Sequence, residues 1–353
     1  MSGRCSRRSG ERIFLRSWHL IGHVSEFREP GNFVTEELLD QSVLIMAGRD
    51  GEIRAFHNVC QHRGNRLVET RRGRTAVVTC GYHAWSYGLD GGLRGAPRTE
   101  CLTNFDKGAH GLKPVRVETL GSFVFVNLDP AAESVADSVP GAEAEMRRFL
   151  PDLDRLKLIQ EVDVPVAANW KVIQENSIEG YHFNYSGPVH KQLDQADRFR
   201  RLHADAAWQV VDLYRTAAGG HDRGLWRAAR WRDLADRLVL QYRAVAERDD
   251  LCVSLCRCRR HLHHDPDRAG DLVAALRLLR AGRPRAAGCD QACIRWMNED
   301  LGPEDIRLNI SNQKGLRSLG YDHGRYLIGE TPDSRSEHLV RHFHRLCYEA
   351  VRP

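Results

Sequence analysis

Two short motifs constrain this chain more than any other feature. Cys60 and His62 are separated by one residue, Cys80 and His83 by two, and seventeen residues lie between the pairs. The flanking pattern places each pair at the tip of a predicted hairpin, where backbone can wrap an ion. Two thiolates and two imidazoles can hold tetrahedral zinc. They can also hold a [2Fe–2S] centre of the Rieske type, in which two histidines replace two cysteines on one iron and raise the reduction potential. One cysteine and one histidine from each loop fits the second arrangement better, because zinc motifs more often group cysteine with cysteine.

The chain has 353 residues, enough for two domains with their own cores. It is 42% hydrophobic and 28% charged, a globular composition. The formal charge of +5 is small, and the basic residues are scattered without a block or an aromatic-interleaved patch. That argues against nucleic acid as a partner. No apolar run approaches the roughly 18 residues of a membrane span. The basic start, MSGRCSRRSGERIFLRSWHLIGHV, lacks an apolar core and a small-residue cleavage site, so a cytoplasmic location is expected. Ten cysteines in such a chain point to metal or redox chemistry before disulfides.

Along the chain, residues 1–32 read as an N-terminal segment and 33–130 as a β domain. SVLIMAG (42–48), EIRAFHNV (52–59), RTAVVTC (74–80) and SFVFVNLD (122–129) are short apolar or alternating runs separated by turns such as GRDG and LDGG. Residues 131–160 read as a helical connection and 161–353 as a second domain. From Asn169 to about Tyr185 the pattern is helical, with Glu175, Glu179 and His182 on one face. Gly302-Pro303 opens a second helix. SEHLVRHFHRLCYEAV predicts an amphipathic helix with its stripe on Leu339, Val340, Phe343, Leu346, Cys347, Ala350 and Val351, and with capping-box spacing at Ser334 and Glu337.

The stretch EGYHFNYSGPVH, residues 179–190, carries a further candidate site. His182 and His190 have seven residues between them. On an unbroken helix they would be about 12 Å apart along the axis, too far for metal–nitrogen bonds of roughly 2 Å. Ser186-Gly187-Pro188 breaks the helix and lets the chain turn back. The two can therefore form a metal pair if the helix ends near Tyr185; otherwise they are hydrogen-bonded polar residues at a helix end.

CQHRG, CGYHAW and SYGLDGGL resemble the cluster-binding loops of Rieske non-heme iron oxygenases, the superfamily of ring-hydroxylating dioxygenase alpha subunits and choline- and carnitine-type monooxygenases. Gly81 stands where the family often has proline, and Ala84 where it often has glycine. NWKVIQENSIEGYH resembles the family's catalytic helix and EDIRLNISNQKGL the helix with its carboxylate ligand. The resemblance implies a [2Fe–2S] cluster on Cys60, His62, Cys80 and His83. It also implies a mononuclear Fe(II) on His182, His190 and Asp305, the two-histidine, one-carboxylate set of O₂-activating iron. The family usually has four residues between the histidines, not seven. Glu304 and Asp300 are neighbours that could substitute for Asp305. Glu179 matches the acid that joins the two metal sites across a subunit boundary; many members have Asp there, and some that act on trimethylammonium compounds have Glu.

The implied fold is α+β: an N-terminal Rieske β domain, then a helix-grip (START-like) domain of antiparallel sheet and long helices, assembled as a head-to-tail homotrimer. The implied reaction draws electrons from NAD(P)H through a ferredoxin or flavin reductase, and hydroxylates or oxidatively demethylates a small organic substrate, trimethylammonium or aromatic. Two rivals are weaker. Glu179-X-X-His182 also fits a carboxylate di-iron bundle, but the chain has no second Glu-X-X-His. A Rieske ferredoxin-like carrier would need only the first domain.

Residues 215–296 stand apart. They contain no lysine and five of the ten cysteines, with little strand alternation. Cys252, Cys256, Cys258 and the nearby His261, His263 and His264 could bind a metal; Cys289 and Cys293 add little. A shifted reading frame, or divergence past recognition, would account for the composition. Translation of the coding DNA in all three frames tests the first.

Overall fold

The run SVLIMAG is apolar throughout because both of its faces are buried. It forms β3 (Gln41–Ala47), and its side chains alternate between two cores. Val43, Ile45 and Ala47 pack with Ile21, Val34, Val124 and Val126 on one side. Leu44 and Met46 pack with Phe56, Trp85 and Tyr87 on the other, beneath the cysteine–histidine loops. The second core is therefore the floor of the candidate cluster site.

The computed structural model describes residues 12–149, 153–191, 197–204, 208–215, 223–231, 240–247, 250–260, 272–281, 296–329 and 336–352. β1 (His19–His23), β2 (Asn32–Leu38), β4 (Ile53–His57), β5 (Arg72–Arg74), β9 (Pro114–Leu120) and β10 (Phe123–Asn127) join β3 in a seven-stranded sheet of order β1-β10-β9-β4-β3-β2-β5. β6 (Val78–Thr79), β7 (Ser86–Tyr87) and β8 (Leu93–Gly95) form a small sheet of their own. The first sheet starts at His19, inside the segment expected to precede the domain. Its first strand pairs with β10, His19 opposite Val126, and that long-range pairing carries no local sequence signal.

After α1 (Val135–Ser138) and α2 (Ala142–Phe149), β11 (Lys157–Val166) opens a second antiparallel sheet. β12 (Asp197–Ala204), β13 (Trp208–Arg215), β14 (Arg223–Trp231), β15 (Leu240–Glu247), β16 (Asp250–Arg260) and β17 (Leu272–Ala281) follow as a meander, and β11 pairs with β17. The 215–296 segment thus supplies four strands despite its weak alternation. Antiparallel neighbours satisfy its backbone, and such pairing overrides weak local preference. Cys252, Cys256 and Cys258 fall on β16; His261, His263, His264, Cys289 and Cys293 lie outside the described residues.

Three helices frame the second site: α3 (Trp170–Asn176), α4 (Gly302–Gly315) and α5 (His338–Val351). The Asn169 side chain caps α3 by accepting from Lys171 N (3.0 Å), and the Asn169 backbone N–H donates to Gln313 Oε1 of α4 (2.7 Å). Ile306 and Ile310 of α4 pack against Val166, Ala168 and Val172. The stripe of α5 (Leu339, Val340, Phe343, Leu346, Cys347) is buried against Ile13, Trp170 and Ile178. Its start differs from the expected capping box: Glu337 sits at the N-cap position, and its carboxylate accepts instead from Leu327 N (2.6 Å). Ser334 lies outside the described residues.

The two domains meet through charge. Glu161 on β11 accepts from both Arg71 and Arg72. Arg71 also donates to Asp163 (3.0 Å), and Arg72 Nε donates to Glu26 (3.1 Å). No helix among the described residues is long and apolar enough to cross a membrane.

Candidate metal centres

The two cysteine–histidine loops share one backbone design. In the first, Cys60 N donates to Asn65 O (2.8 Å) and Gly64 N to Cys60 O (3.0 Å). In the second, Cys80 N donates to Trp85 O (2.8 Å) and Ala84 N to Cys80 O (3.1 Å). The fourth residue after each cysteine is left-handed: Gly64 at φ 72° and Ala84 at φ 56°. Glycine adopts that region freely, whereas alanine does so at a cost of about 1 kcal/mol. Ala84→Gly is therefore expected to stabilise the domain by about that amount, read as a higher thermal midpoint with an unchanged visible spectrum.

The thiols point inward and the imidazoles outward. Cys60 is 3% and Cys80 2% exposed, while His62 and His83 lie at the surface with ring centroids 4.6 Å apart. His62 stacks on the buried Trp85 at 4.9 Å. Tyr87 Oη accepts from Gln61 N (3.0 Å) and lies 3.3 Å from Cys60 Sγ. Burial pushes the Cys80 thiol up, but the N–H groups of Tyr82 and His83 and the adjacent Cys60 outweigh it and bring it below the usual value. Slight desolvation and the charges of His62 and Arg63 hold His83 below the ordinary histidine value. Thiolate and neutral imidazole are the forms a metal requires.

In the second domain, one atom each from His182, His190 and Asp305 lie within 4.8 Å of one another. Asp305 Oδ1 is 3.1 Å from His190 Nε2 and 3.7 Å from His182 Nε2. The local backbone differs from the predicted helix. α3 stops at Asn176, and Glu179 lies outside it. Residues 181–186 form a separate turn, with Tyr185 N and Ser186 N donating to His182 O (2.9 and 3.0 Å). The reason is the carboxylate of Glu179, which caps that turn by accepting from Tyr181 N and His182 N. The chain then bends at Ser186-Gly187 and starts another turn, which delivers His190.

Each histidine donates its far nitrogen to a different acid. His182 Nδ1 bonds Glu179 Oε1, and His190 Nδ1 lies 2.7 Å from Glu304 Oε2. Glu304 therefore occupies the layer behind His190, not the place of Asp305. Burial pushes the Glu304 carboxyl up, but its bonds to the His190 ring and to the N–H groups of His190 and Val189 outweigh this and keep it below the usual value. Burial lowers the basicity of His182, but Asp305 and Glu179 outweigh it and raise the pKa from 6.5 to about 9. The sign follows from linkage: with the folded value raised, this stabilisation is full below pH 6.5 and is lost as pH climbs through about 9. A metal must displace that proton. Fe(II) titration of the metal-free protein under anaerobic conditions is expected to show tighter binding at pH about 9 than at pH 6.5.

Residues 17–106 match the Rieske [2Fe-2S] domain family, and residues 153–252 the ring hydroxylating alpha subunit (catalytic domain) family. The carnitine monooxygenase oxygenase subunit of Escherichia coli K12 is 31% identical over 356 aligned residues, covering 97% of this chain and 89% of that protein. The chain belongs to the Rieske oxygenases. The glycine betaine monooxygenase oxygenase subunit of Pseudomonas aeruginosa is 38% identical over 178 residues, half of this chain and 41% of its own length. The crystal structure of the quaternary ammonium Rieske monooxygenase CntA with L-carnitine superposes with a TM-score of 0.82 at 26% identity, covering 98% of this chain and 92% of that one. A naphthalene 1,2-dioxygenase shares the fold at a TM-score of 0.69 and 18% identity.

A Rieske oxygenase carries a [2Fe–2S] cluster and a mononuclear iron, and the donor chemistry of this chain fits both. In the first domain the two thiols adjoin each other and the two imidazole rings are in contact; in the second, two imidazoles and a carboxylate converge. The residues that sequence reasoning passed over are Glu304 in its supporting place and the Arg71, Arg72 and Glu161 clasp. The acid directly before Asp305 was the available signal for the first.

Proposed function

We propose that this Rieske oxygenase inserts oxygen into a small trimethylammonium compound, with Cys60, His62, Cys80 and His83 holding the cluster and His182, His190 and Asp305 the mononuclear iron. The observation that carries the proposal is the approach of three ligand atoms, from two separate segments, to within 4.8 Å of one another. An electron carrier has no use for such a site. Iron bound there would supply O₂ activation.

The chain's own residues do the rest. Glu179 and Glu304 each accept a ring N–H, which fixes the tautomer and turns the Nε2 atoms of both histidines toward Asp305. The exposed edges of His62 and His83 offer an electron a short way in from a reductase or ferredoxin supplied by NAD(P)H. Glu at position 179 and near full-length similarity to a carnitine monooxygenase subunit favour a quaternary ammonium substrate over an aromatic one.

Assembly as a homotrimer belongs to the same reading. A CntA structure is described as giving insight into inter-subunit electron transfer. Here large apolar side chains stand exposed beside both centres: Tyr82 at 56%, Tyr181 at 45% and Tyr185 at 81%. Surfaces of that kind mark contact sites.

The test is O₂ uptake by iron-replete protein with a flavin reductase and NADH, comparing L-carnitine, glycine betaine and benzoate. Uptake stimulated by a quaternary ammonium compound, with one oxygen from O₂ in the product, is the expected result. Stimulation by benzoate alone would overturn the substrate class, and no stimulation at all by any compound would overturn the activity.

A further inference from the structure

We infer that Glu304 is the positioning residue for His190, replacing the helical tether that the long spacer between the histidines has lost; this rests on the proposed iron site. The backbone alone does not aim the His190 ring. It follows the bend at Ser186-Gly187 and begins a fresh turn, in which Lys191 N donates to Gly187 O (3.0 Å). A single such turn carries little stability of its own.

Glu304 fixes it from across the chain. Oε2 accepts from His190 Nδ1 (2.7 Å) and from His190 N (3.0 Å), and Oε1 accepts from Val189 N (3.1 Å). Three donors converge on one carboxylate that is only 8% exposed. Because Nδ1 is committed as a donor, Nε2 is left with the lone pair a metal needs, and it is Nε2 that faces Asp305 Oδ1. Glu304 and Asp305 are adjacent in the first turn of α4, so one rigid element sets both the carboxylate and the second imidazole.

Gly187 makes room for the clamp. A Cβ there would lie 2.2 Å from both the carboxyl carbon and Oε1 of Glu304. The glycine in the Ser-Gly-Pro break thus leaves the space that the carboxylate occupies, and a side chain there would push the acid away.

Two substitutions probe the clamp differently. Glu304→Gln keeps the size but turns an amide N–H₂ toward groups that are already donors. Gly187→Ala keeps the charge and displaces the carboxylate. Both are expected to weaken Fe(II) binding by about 10- to 100-fold, with the cluster's visible spectrum retained. Both are also expected to shift the ligand-field absorption of Co(II) placed in the mononuclear site, which a purely structural role would leave alone. If Glu304→Gln fails to fold, Gly187→Ala carries the test.

His190→Ala separates the possible failures. If it loses the iron while both clamp variants keep wild-type affinity and an unchanged Co(II) spectrum, the role of Glu304 is wrong and the site stands. If His190→Ala itself retains the iron at wild-type affinity, the site is wrong.

Discussion

His182→Ala is expected to lower iron from about three to about two per chain and to abolish substrate-dependent O₂ uptake, while the visible spectrum of the cluster persists. His182 is one of only two imidazoles in its cluster of ligand atoms. Its loss leaves one imidazole and one carboxylate, too few to hold a divalent ion firmly. The cluster loops lie in a different domain, with their own core of Leu44, Phe56, Trp85 and Tyr87, so they should not register the change. Iron analysis, absorption spectroscopy and O₂ uptake on one preparation check all three parts. Normal turnover in this variant would remove the assignment of the second centre.

What the sequence disclosed and what it hid follow from the range of the forces involved. The cluster loops were legible because every determinant is local: cysteine, histidine and a left-handed residue within a few positions. β3, β4 and β10 were legible because burial on one or both faces writes itself into alternation or a continuous apolar run. The stop of α3 at Asn176 was not. It depends on Glu179 turning back to take two N–H groups, and an acid at that spacing equally suits a continuing helix. β1 was hidden because five residues gain their strand character only from β10. The supporting place of Glu304 was hidden for a similar reason. Two adjacent acids at a helix start look alike until the chain from Ser186 to His190 is laid across them.

That same geometry makes Glu179→Gln the sharpest probe of coupling between the centres. The carboxylate uses Oε1 for the His182 ring and Oε2 for the N–H groups of Tyr181 and His182. An amide has one oxygen to offer, so one of these donors must face an N–H₂ group. The iron should remain, because Glu179 is not among the converging ligand atoms. The orientation and basicity of His182 should not, since a partner of this kind sets both, and its loss costs about 10- to 100-fold in activity. Resemblance to the family adds a second task for this acid, contact with a cluster histidine of the neighbouring subunit. If Glu179 serves both, the loss should reach the upper end of that range or pass it, with both metals in place and the cluster still reduced normally by the reductase. Following the visible spectrum of reduced protein after addition of substrate and O₂ tells the two cases apart. Slow reoxidation of the cluster places the fault between the centres, whereas normal reoxidation with poor product yield places it at His182 alone. Wild-type turnover in Glu179→Gln would exclude both roles.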